Sequence, residues 1–232
     1  MGEGKEGRPS TLVIVAALNE EEGIGKTLAE IKSVLDGALC LVVDGRSTDG
    51  TAKVAEWMGA KVVFQKGLGK GDAIASALEH TRTLNAKYVV FTDADFTYPA
   101  EYLPKMIEIL EQDPQVGMVC GNRFNNYFQL KDMGNAFYFG NRVLAFIHNL
   151  LNGVNMRDPL TGLRILRSSI LKKWMPKSEG FDVEVELNHH VERQGYGIVE
   201  VPIPYRRRLG EKKLKLRHGI TILRRILLES SY

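Results

Sequence analysis

The sequence predicts an α/β fold, a mixed and mostly parallel sheet flanked by helices. Two observations predict it. Up to Pro99, short apolar runs rich in β-branched residues alternate with helical stretches, the pattern of strand–helix crossover units. Several of those runs also end in acids or amides: Asn19-Glu20 after the first, Asp44 at the second, Asp93-Ala94-Asp95 at a later one. Open α/β sheets bind ligands at that carboxyl edge.

In order, Thr11–Ala17 reads as a buried first strand. Asn19-Glu20-Glu21-Glu22 opens a helix, with Asn19 as its expected N-cap and the acids suited to the first turn. Leu39–Asp44 is a second strand, followed by the turn-rich Gly45–Gly50 and a helix through about Met58. Lys61–Phe64 is a short third strand. Gly67-Leu68-Gly69-Lys70-Gly71 precedes an amphipathic helix to about Leu84, and Tyr88–Thr92 is a fourth strand. Right-handed crossovers then give parallel neighbours. Beyond Pro99 the pattern loosens. Ala100–Leu110 reads as a helix, Val116–Cys120 as a strand and Ala136–Leu151 as a long aromatic helix. Gly162–Leu166 and Ile198–Ile203 read as strands, with Val183–Arg193 helical between them; the tail from Gly210 to Leu228 is basic, then amphipathic.

With 232 residues and no linker-like stretch, the chain suits a single domain over 11–228, preceded by a disordered, glycine- and charge-rich lead-in over 1–10. Hydrophobic content of 44% and charged content of 25% are ordinary for a globular protein. A net charge of +3 is too mild to indicate nucleic acid. Cys40 and Cys120 sit in apolar runs without metal or disulfide spacing. No apolar run approaches the roughly 18 residues of a membrane span, and the N-terminus lacks a signal-peptide pattern. An intracellular chain is expected.

The Asp93-Ala94-Asp95 pair carries the chemistry. Two carboxylates at a strand end can grip a hard divalent cation or a ribose hydroxyl, and magnesium held this way usually also takes substrate phosphates. Asp44 and Asn19-Glu20, at other strand ends, converge on the same crevice, so 11–99 reads as a nucleotide-binding half and 100–228 as an acceptor half. The run Gly67–Gly71 lacks Walker spacing and follows the third strand, which excludes both a P-loop and a dinucleotide fingerprint.

Together, Ala16-Ala17-Leu18-Asn19-Glu20, Val43–Thr51, Gly69-Lys70-Gly71 and Asp93-Ala94-Asp95 resemble the family 2 glycosyltransferases of the GT-A, Rossmann-like fold. Gly121-Asn122-Arg123, Asp158–Arg164, Gly180–Glu184, Val201–Tyr205 and Arg208–Leu214 resemble the dolichol-phosphate sugar synthase branch, and the likeness runs in order over 11 to 228. Family members often carry Pro where Ala16 stands and a second Asp at Val43. Mannose-type synthases often have Gln at the position of Thr97, and the pattern here looks more like archaeal-type enzymes that use UDP-sugars.

The resemblance implies an inverting transfer, dependent on Mg²⁺ or Mn²⁺, of one sugar from a nucleotide diphosphate donor to a polyprenyl (dolichyl) phosphate. UDP-glucose, UDP-N-acetylglucosamine and GDP-mannose are the candidate donors. By residue match, Asp44 contacts the base; Ala16, Ala17 and Leu18 flank it with Glu20 close by; Gly71 and Ala94 complete the nucleotide site. Asp93 meets ribose or metal, and Asp95 holds the metal on the diphosphate. A lipid monophosphate is already anionic and needs cations rather than a strong base, so Arg123, then Arg142, Arg164 and Arg208, are the candidate phosphate ligands. Asp95, Arg123 and Glu184 form the candidate catalytic set, Glu184 orienting the sugar or an arginine. The alternative is a family 2 enzyme acting on a sugar hydroxyl, for which Glu184 or Asp182 would be an essential base. A sugar nucleotidyltransferase is disfavoured because a glycine-rich first loop is absent.

The basic stretch Arg206–Arg217 is expected to cover the acceptor phosphate and touch anionic lipid. His218–Leu228 and Ala136–Leu151 offer apolar faces to a bilayer surface or to the core. Peripheral attachment at the cytoplasmic face of a membrane follows.

Overall fold

A computed structural model of the protein describes residues 11–81, 86–125, 135–152, 154–215 and 217–230. The expected lead-in over 1–10 and the expected helix end at Leu84 lie outside them. Seven strands form one sheet: β1 (Thr11–Ala17), β2 (Leu39–Asp44), β3 (Lys61–Phe64), β4 (Tyr88–Asp93), β5 (Val116–Asn122), β6 (Arg164–Arg167) and β7 (Gly197–Pro202). Their order is β3-β2-β1-β4-β6-β5-β7. All neighbours are parallel except β6, which runs antiparallel to both β4 and β5. The helices are α1 (Glu21–Val34), α2 (Thr51–Trp57), α3 (Gly69–Thr81), α4 (Leu103–Gln112), α5 (Asn135–Asn152), α6 (Ser168–Leu171), α7 (Val183–Arg193) and α8 (His218–Glu229).

Side chains alternate across a strand, and β1 shows the consequence. Val13 and Val15 enter one core with Ile24, Leu28 and Ile31 of α1 and Leu103, Met106 and Leu110 of α4. Leu12 and Ile14 enter the other with Ala73, Ile74 and Ala77 of α3 and Val183, Leu187 and Val191 of α7. A strand covered on both faces must be apolar throughout, as TLVIVAA is. A third, smaller cluster joins Ile222 and Ile226 of α8 to Val185 of α7, with Leu144 and Ile147 of α5 against it. Helices α5 and α8 therefore form an outer layer on α7.

The structure revises several local expectations. Asn19 does not cap α1: it has φ 49°, and its Oδ1 accepts the Thr48 N–H at 2.8 Å, while Glu20 precedes the helix. The segment from Ala100 starts as a 3₁₀ turn, Ala100–Tyr102, before α4. Helix α3 begins inside the glycine run, at Gly69, rather than after it. Strand β6 starts at Arg164, not Gly162; Gly162 instead lines the site. The short α6 had no signal of its own in the sequence.

Strand β1 lies between β2 and β4, so the chain reverses direction of progress at β1, and the crevice beyond that point is where an open sheet takes its ligand. The register sets Ala17 beside Asp44 and Ala16 beside Asp93. Three polar segments distant in sequence become lateral neighbours at one edge.

Candidate active site

The ends of β1 and β2 are tied to each other. The Asn19 N–H donates to Ser47 Oγ at 2.8 Å, the Glu20 N–H to Thr51 Oγ1 at 2.8 Å, and the Gly50 N–H to Glu21 Oε2 at 3.0 Å. The Ser47 N–H donates to Asp44 Oδ1 at 2.7 Å. Asp44 itself is fully buried, and its Oδ2 has no hydrogen-bond partner. A buried carboxylate oxygen without a donor is costly.

At the end of β4, the chain turns through Phe96, at φ 66°. Thr97 closes the turn: its N–H and hydroxyl both donate to Asp95 Oδ1, at 3.1 and 2.6 Å. Helix α1 presses on this turn so tightly that a Cβ on Gly23 would lie 2.6 Å from the Ala94 carbonyl oxygen. The geometry of Asp93-Ala94-Asp95 is thus fixed from both sides.

Beyond the strand ends opens a cavity of about 330 Å³. Ala16, Ala17, Leu18, Glu20, Asp93, Ala94, Asp95, Arg123, Glu184 and Arg208 line it. Asp44 lies behind the lining. Gly71 packs into the wall, its N–H donating to the Glu179 carbonyl at 2.8 Å. Arg142 is exposed on α5, reaching the Arg157 carbonyl at 3.4 Å. Arg164 is buried and spends its guanidinium on the Thr161, Pro159 and Glu184 carbonyls and on Asn188. The structure brings Arg123 and Arg208 to the cavity and leaves Arg142 and Arg164 off its lining. Arg164 ties the loop before β6 to α7, a structural use that an isolated arginine in a sequence does not announce.

The acids are crowded. Glu20, buried and facing Asp95 and Asp93, is raised to about pKa 7 in spite of Arg208 and Lys213. Burial, then Asp93, pushes Asp95 up, against Arg208 and the Thr97 hydrogen bonds. Arg208 answers this charge: Nη1 lies 3.0 Å from Asp95 Oδ2, and Nη2 pairs with Glu20 Oε1. Lys213 adds a contact to Glu20 at 4.0 Å and donates to the Asn19 carbonyl at 3.2 Å. The loop after β7 is therefore fastened over the strand-end acids, its Leu209 N–H donating to the Asp95 carbonyl at 3.1 Å.

Arg123 is aimed by Asp158, which accepts from its Nε at 2.7 Å, its Nη2 at 2.8 Å and its backbone N–H at 3.0 Å. Its guanidinium lies 5.5 Å from the Tyr205 ring centroid and 5.6 Å from that of Phe124. Planar arginine held between a carboxylate and aromatic faces keeps one orientation.

Gln65, Lys70, Tyr98 and Tyr205 also line the cavity and were not among the candidate site residues, while Lys212 and Lys213 come from the basic stretch expected to cover the acceptor phosphate. Lys70 had a signal: a lysine between two glycines, outside any phosphate-loop spacing, marks a place where backbone must come close. Tyr98 had none, since its role is to accept the Gly162 N–H at 2.7 Å from across the sheet.

Among the described residues no group of three or more His, Cys, Asp and Glu side chains is arranged to hold a metal ion. The two carboxylates of Asp93 and Asp95 fit a different kind of site. Magnesium takes one or two carboxylates and completes its shell with water and substrate phosphate oxygens. The mutual repulsion of Glu20, Asp93 and Asp95 is what a cation there would relieve.

The model of glycosyl transferase family 2 matches residues 12–175. The chain belongs to that family. A dolichyl-phosphate hexose transferase of Haloferax volcanii is 37% identical over 205 residues, covering 87% of this chain and 85% of the relative. An undecaprenyl-phosphate mannosyltransferase of Micrococcus luteus is 27% identical, covering 88% and 86%. A crystal structure of glucosyl-3-phosphoglycerate synthase from Mycobacterium tuberculosis, in complex with Mg²⁺ and UDP, superposes with a TM-score of 0.77 at 23% identity, over 96% of this chain and 80% of that one. That likeness establishes the GT-A fold. This family 2 chain is a glycosyltransferase.

Proposed function

We propose that this glycosyltransferase moves one hexose, with inversion, from a nucleotide diphosphate sugar to a polyprenyl phosphate at a membrane surface. The observation that carries the reading is that one cavity gathers acids of the sheet edge (Glu20, Asp93, Asp95) and cations of the second half (Arg123, Arg208, Lys212, Lys213), with Arg208 reaching across to pair with Glu20 and Asp95. A diphosphate donor with its divalent cation suits the first, and an anionic phosphate acceptor suits the second. The names of the relatives from Haloferax volcanii and Micrococcus luteus support a polyprenyl phosphate.

Residue roles follow the chemistry. The base lies against Ala16–Leu18, with Asp44 buried behind that wall. Asp93 and Asp95 would hold Mg²⁺ or Mn²⁺, which would supply positive charge against the departing diphosphate. Arg123, oriented by Asp158, and Arg208 hold the acceptor phosphate in line with the anomeric carbon. One phosphate oxygen forms the bond to that carbon as the bond to the diphosphate oxygen breaks, and the nucleoside diphosphate leaves with the electron pair. The phosphate is already ionised, so no residue has to remove a proton. Arg142 and Arg164 take no part.

The outer layer suits the lipid. Phe139, Val143, Phe146 and Leu150 of α5 form an exposed stripe at helical spacing, and Ile220, Leu227 and Leu228 of α8 are exposed beside it. No helix among the described residues is long and apolar enough to cross a membrane.

The test is transfer itself. The protein is incubated with Mg²⁺ or Mn²⁺, a polyprenyl phosphate, and radiolabelled UDP-glucose, UDP-N-acetylglucosamine or GDP-mannose in turn. Metal-dependent label in the organic phase from one donor is the expected result. Label confined to soluble sugar products would overturn the lipid acceptor.

A further inference from the structure

Two cations of different kinds have a claim on one oxygen of Asp95. Its Oδ1 accepts the Thr97 N–H at 3.1 Å and the Thr97 hydroxyl at 2.6 Å. Its Oδ2 is the oxygen left for a cation, and Arg208 Nη1 lies 3.0 Å from it. The same guanidinium pairs through Nη2 with Glu20 Oε1. Asp93 is engaged on one side as well, with Lys70 Nζ 2.6 Å from its Oδ1. A divalent ion joining the two acids of the strand end therefore has to take Asp95 Oδ2 from Arg208. Both cannot share it, since like charges that close in a buried site repel strongly.

Arg208 can release that oxygen without the loop leaving. Its neighbours are anchored on their own: the Leu209 N–H donates to the Asp95 carbonyl and the Arg206 N–H to the Thr97 carbonyl, both at 3.1 Å. Arg206 Nη1 also pairs with Glu30, at 2.7 and 2.9 Å. Gly210, at φ +76°, closes the loop against Glu20, where a Cβ would lie 3.3 Å from Oε2. The side chain can turn about a fixed backbone, and its buried Nε has no hydrogen-bond partner to hold it back. Away from the acids, Arg208 faces Arg123 and Lys212 across the cavity. Burial, then the charges of Arg208 and Arg123, already lowers Lys212. A guanidinium turned that way is repelled until an anion joins the three cations.

Resting on the reading of Asp93 and Asp95 as metal carboxylates, we infer that Arg208 is an exchange cation: a divalent ion displaces it from Asp95 Oδ2, and the released guanidinium turns to the acceptor phosphate. One side chain thereby couples the two sites. Metal strengthens phosphate binding, and phosphate strengthens metal binding by the same factor. The full set of phosphate-binding cations is assembled only once the metal is in place.

The experiment is binding without turnover, on the full chain. Mn²⁺ alone is titrated and the free ion read by electron paramagnetic resonance. A short, water-soluble polyprenyl phosphate analogue is then titrated by calorimetry with and without Mn²⁺. The wild type, Arg208→Met, Arg208→Lys, Lys213→Met and Asp95→Asn proteins are compared after their melting curves are checked. Arg208→Met should bind Mn²⁺ about fivefold or more tightly than the wild type, and Arg208→Lys, whose single ammonium cannot hold both acids, should lie between them. Lys213→Met removes the same charge from beside Glu20 without touching Asp95, and should change Mn²⁺ binding less. Mn²⁺ should tighten the phosphate analogue about fivefold or more in the wild type, beyond the effect in Arg208→Met, where metal and phosphate can still meet directly. Mn²⁺ binding that is unchanged or weaker in both Arg208 variants overturns the inference. So does an equal gain in Lys213→Met, which would make net charge the whole cause, or an equal effect of Mn²⁺ on the analogue with and without Arg208. In each of these cases the metal reading stands. Mn²⁺ binding by Asp95→Asn as tight as by the wild type overturns that reading too.

Discussion

The two halves of the cavity are held by different means. The acids of the first half stand on strand ends. Strands β2, β1 and β4 are adjacent, and the segments that follow them bond to each other, Asn19 to Ser47 and Glu20 to Thr51, with the sheet fixing the spacing. The second half supplies side chains from a strand end (Arg123), a helix start (Glu184) and a loop (Tyr205, Arg208). Charge pairing across long stretches of chain aims them: Arg123 to Asp158, Glu184 to Lys70, Arg208 to Glu20 and Asp95. A backbone-built end tolerates loss of one side chain better than an end whose geometry is a set of ion pairs. Removing a single partner there leaves a buried charge alone.

The largest effect on stability is therefore expected in the second half. Asp158 is fully buried, accepts three N–H bonds from Arg123, and its own N–H donates to Glu200 Oε1 at 2.7 Å. Asp158→Ala should cost about 3–5 kcal/mol, the range for breaking a buried pair, read from urea unfolding with an unchanged m-value. A loss under about 1 kcal/mol would break the contrast between the halves. Asp95→Ala should act oppositely. It removes a carboxylate that Asp93 and Glu20 repel, and Arg208 retains Glu20. Transfer should fall about 10²–10³-fold, as for loss of one electrostatic contact in a transition state, with a smaller loss of stability than Asp158→Ala, since relief of repulsion offsets the acceptor that Thr97 loses. Undiminished transfer would remove Asp95 from the metal site.

The same contrast explains what the sequence disclosed. Strands β1 to β4 and the helices between them are legible because a strand covered on both faces must be a continuous apolar run, and because turn residues mark its end. Asp44, Asp93 and Asp95 stand at those ends, so their convergence follows from parallel topology alone. The second half is legible only as motifs. Arg123 and Arg164 both stand in motifs at strand ends, yet one is held at the cavity and the other is consumed by carbonyls at Thr161, Pro159 and Glu184. No local pattern distinguishes them, because the partners lie in the loop before β6 and on α7 and are set by packing. Lys70 is hidden for a related reason: its glycine neighbours exist to let α3 touch residues 178–180, a contact between segments more than a hundred positions apart.

The outer layer allows a finer comparison, by pH. His148 of α5 and His189 of α7 stand 5.4 Å apart, both buried, each with an Nε2 that has no partner. Burial, then His148 and Arg193, lowers His189 to about pKa 4. As pH falls below the ordinary imidazole value of about 6.5, the unfolded chain takes up a proton that the folded chain refuses until about 4. This residue's contribution to stability is full above pH 6.5 and is lost as pH falls toward 4. Burial raises Glu192 to about 7, so the folded chain binds a proton there before the unfolded one does, which opposes the trend. The wild-type profile mixes the two, and the difference between variants separates them. His189→Gln should gain stability relative to the wild type by up to about 1.4 kcal/mol per pH unit between 6.5 and 4. A difference that stays constant with pH would show that His189 is charged in the folded state.

The smallest effect on the fold should come from the exposed stripe, and it separates what α5 and α8 do inward from what they do outward. Ile226 of α8 is fully buried against α7, whereas Phe139 and Phe146 of α5 are 70% and 67% exposed. Ile226→Ser should lower stability by about 2 kcal/mol or more, through lost burial and a stranded hydroxyl. Phe139→Ser with Phe146→Ser should change it by no more than about 1 kcal/mol, since neither ring is in the core. If the stripe meets lipid, the same double variant should bind anionic vesicles about tenfold more weakly in a sedimentation assay, because two aromatic rings no longer leave water on docking. It should also raise the KM for a long-chain polyprenyl phosphate while leaving that for a short, water-soluble analogue unchanged. Vesicle binding that does not fall, or KM values that rise alike for both acceptors, would place the stripe outside the lipid contact and leave the basic loop at 206–217 to make it alone.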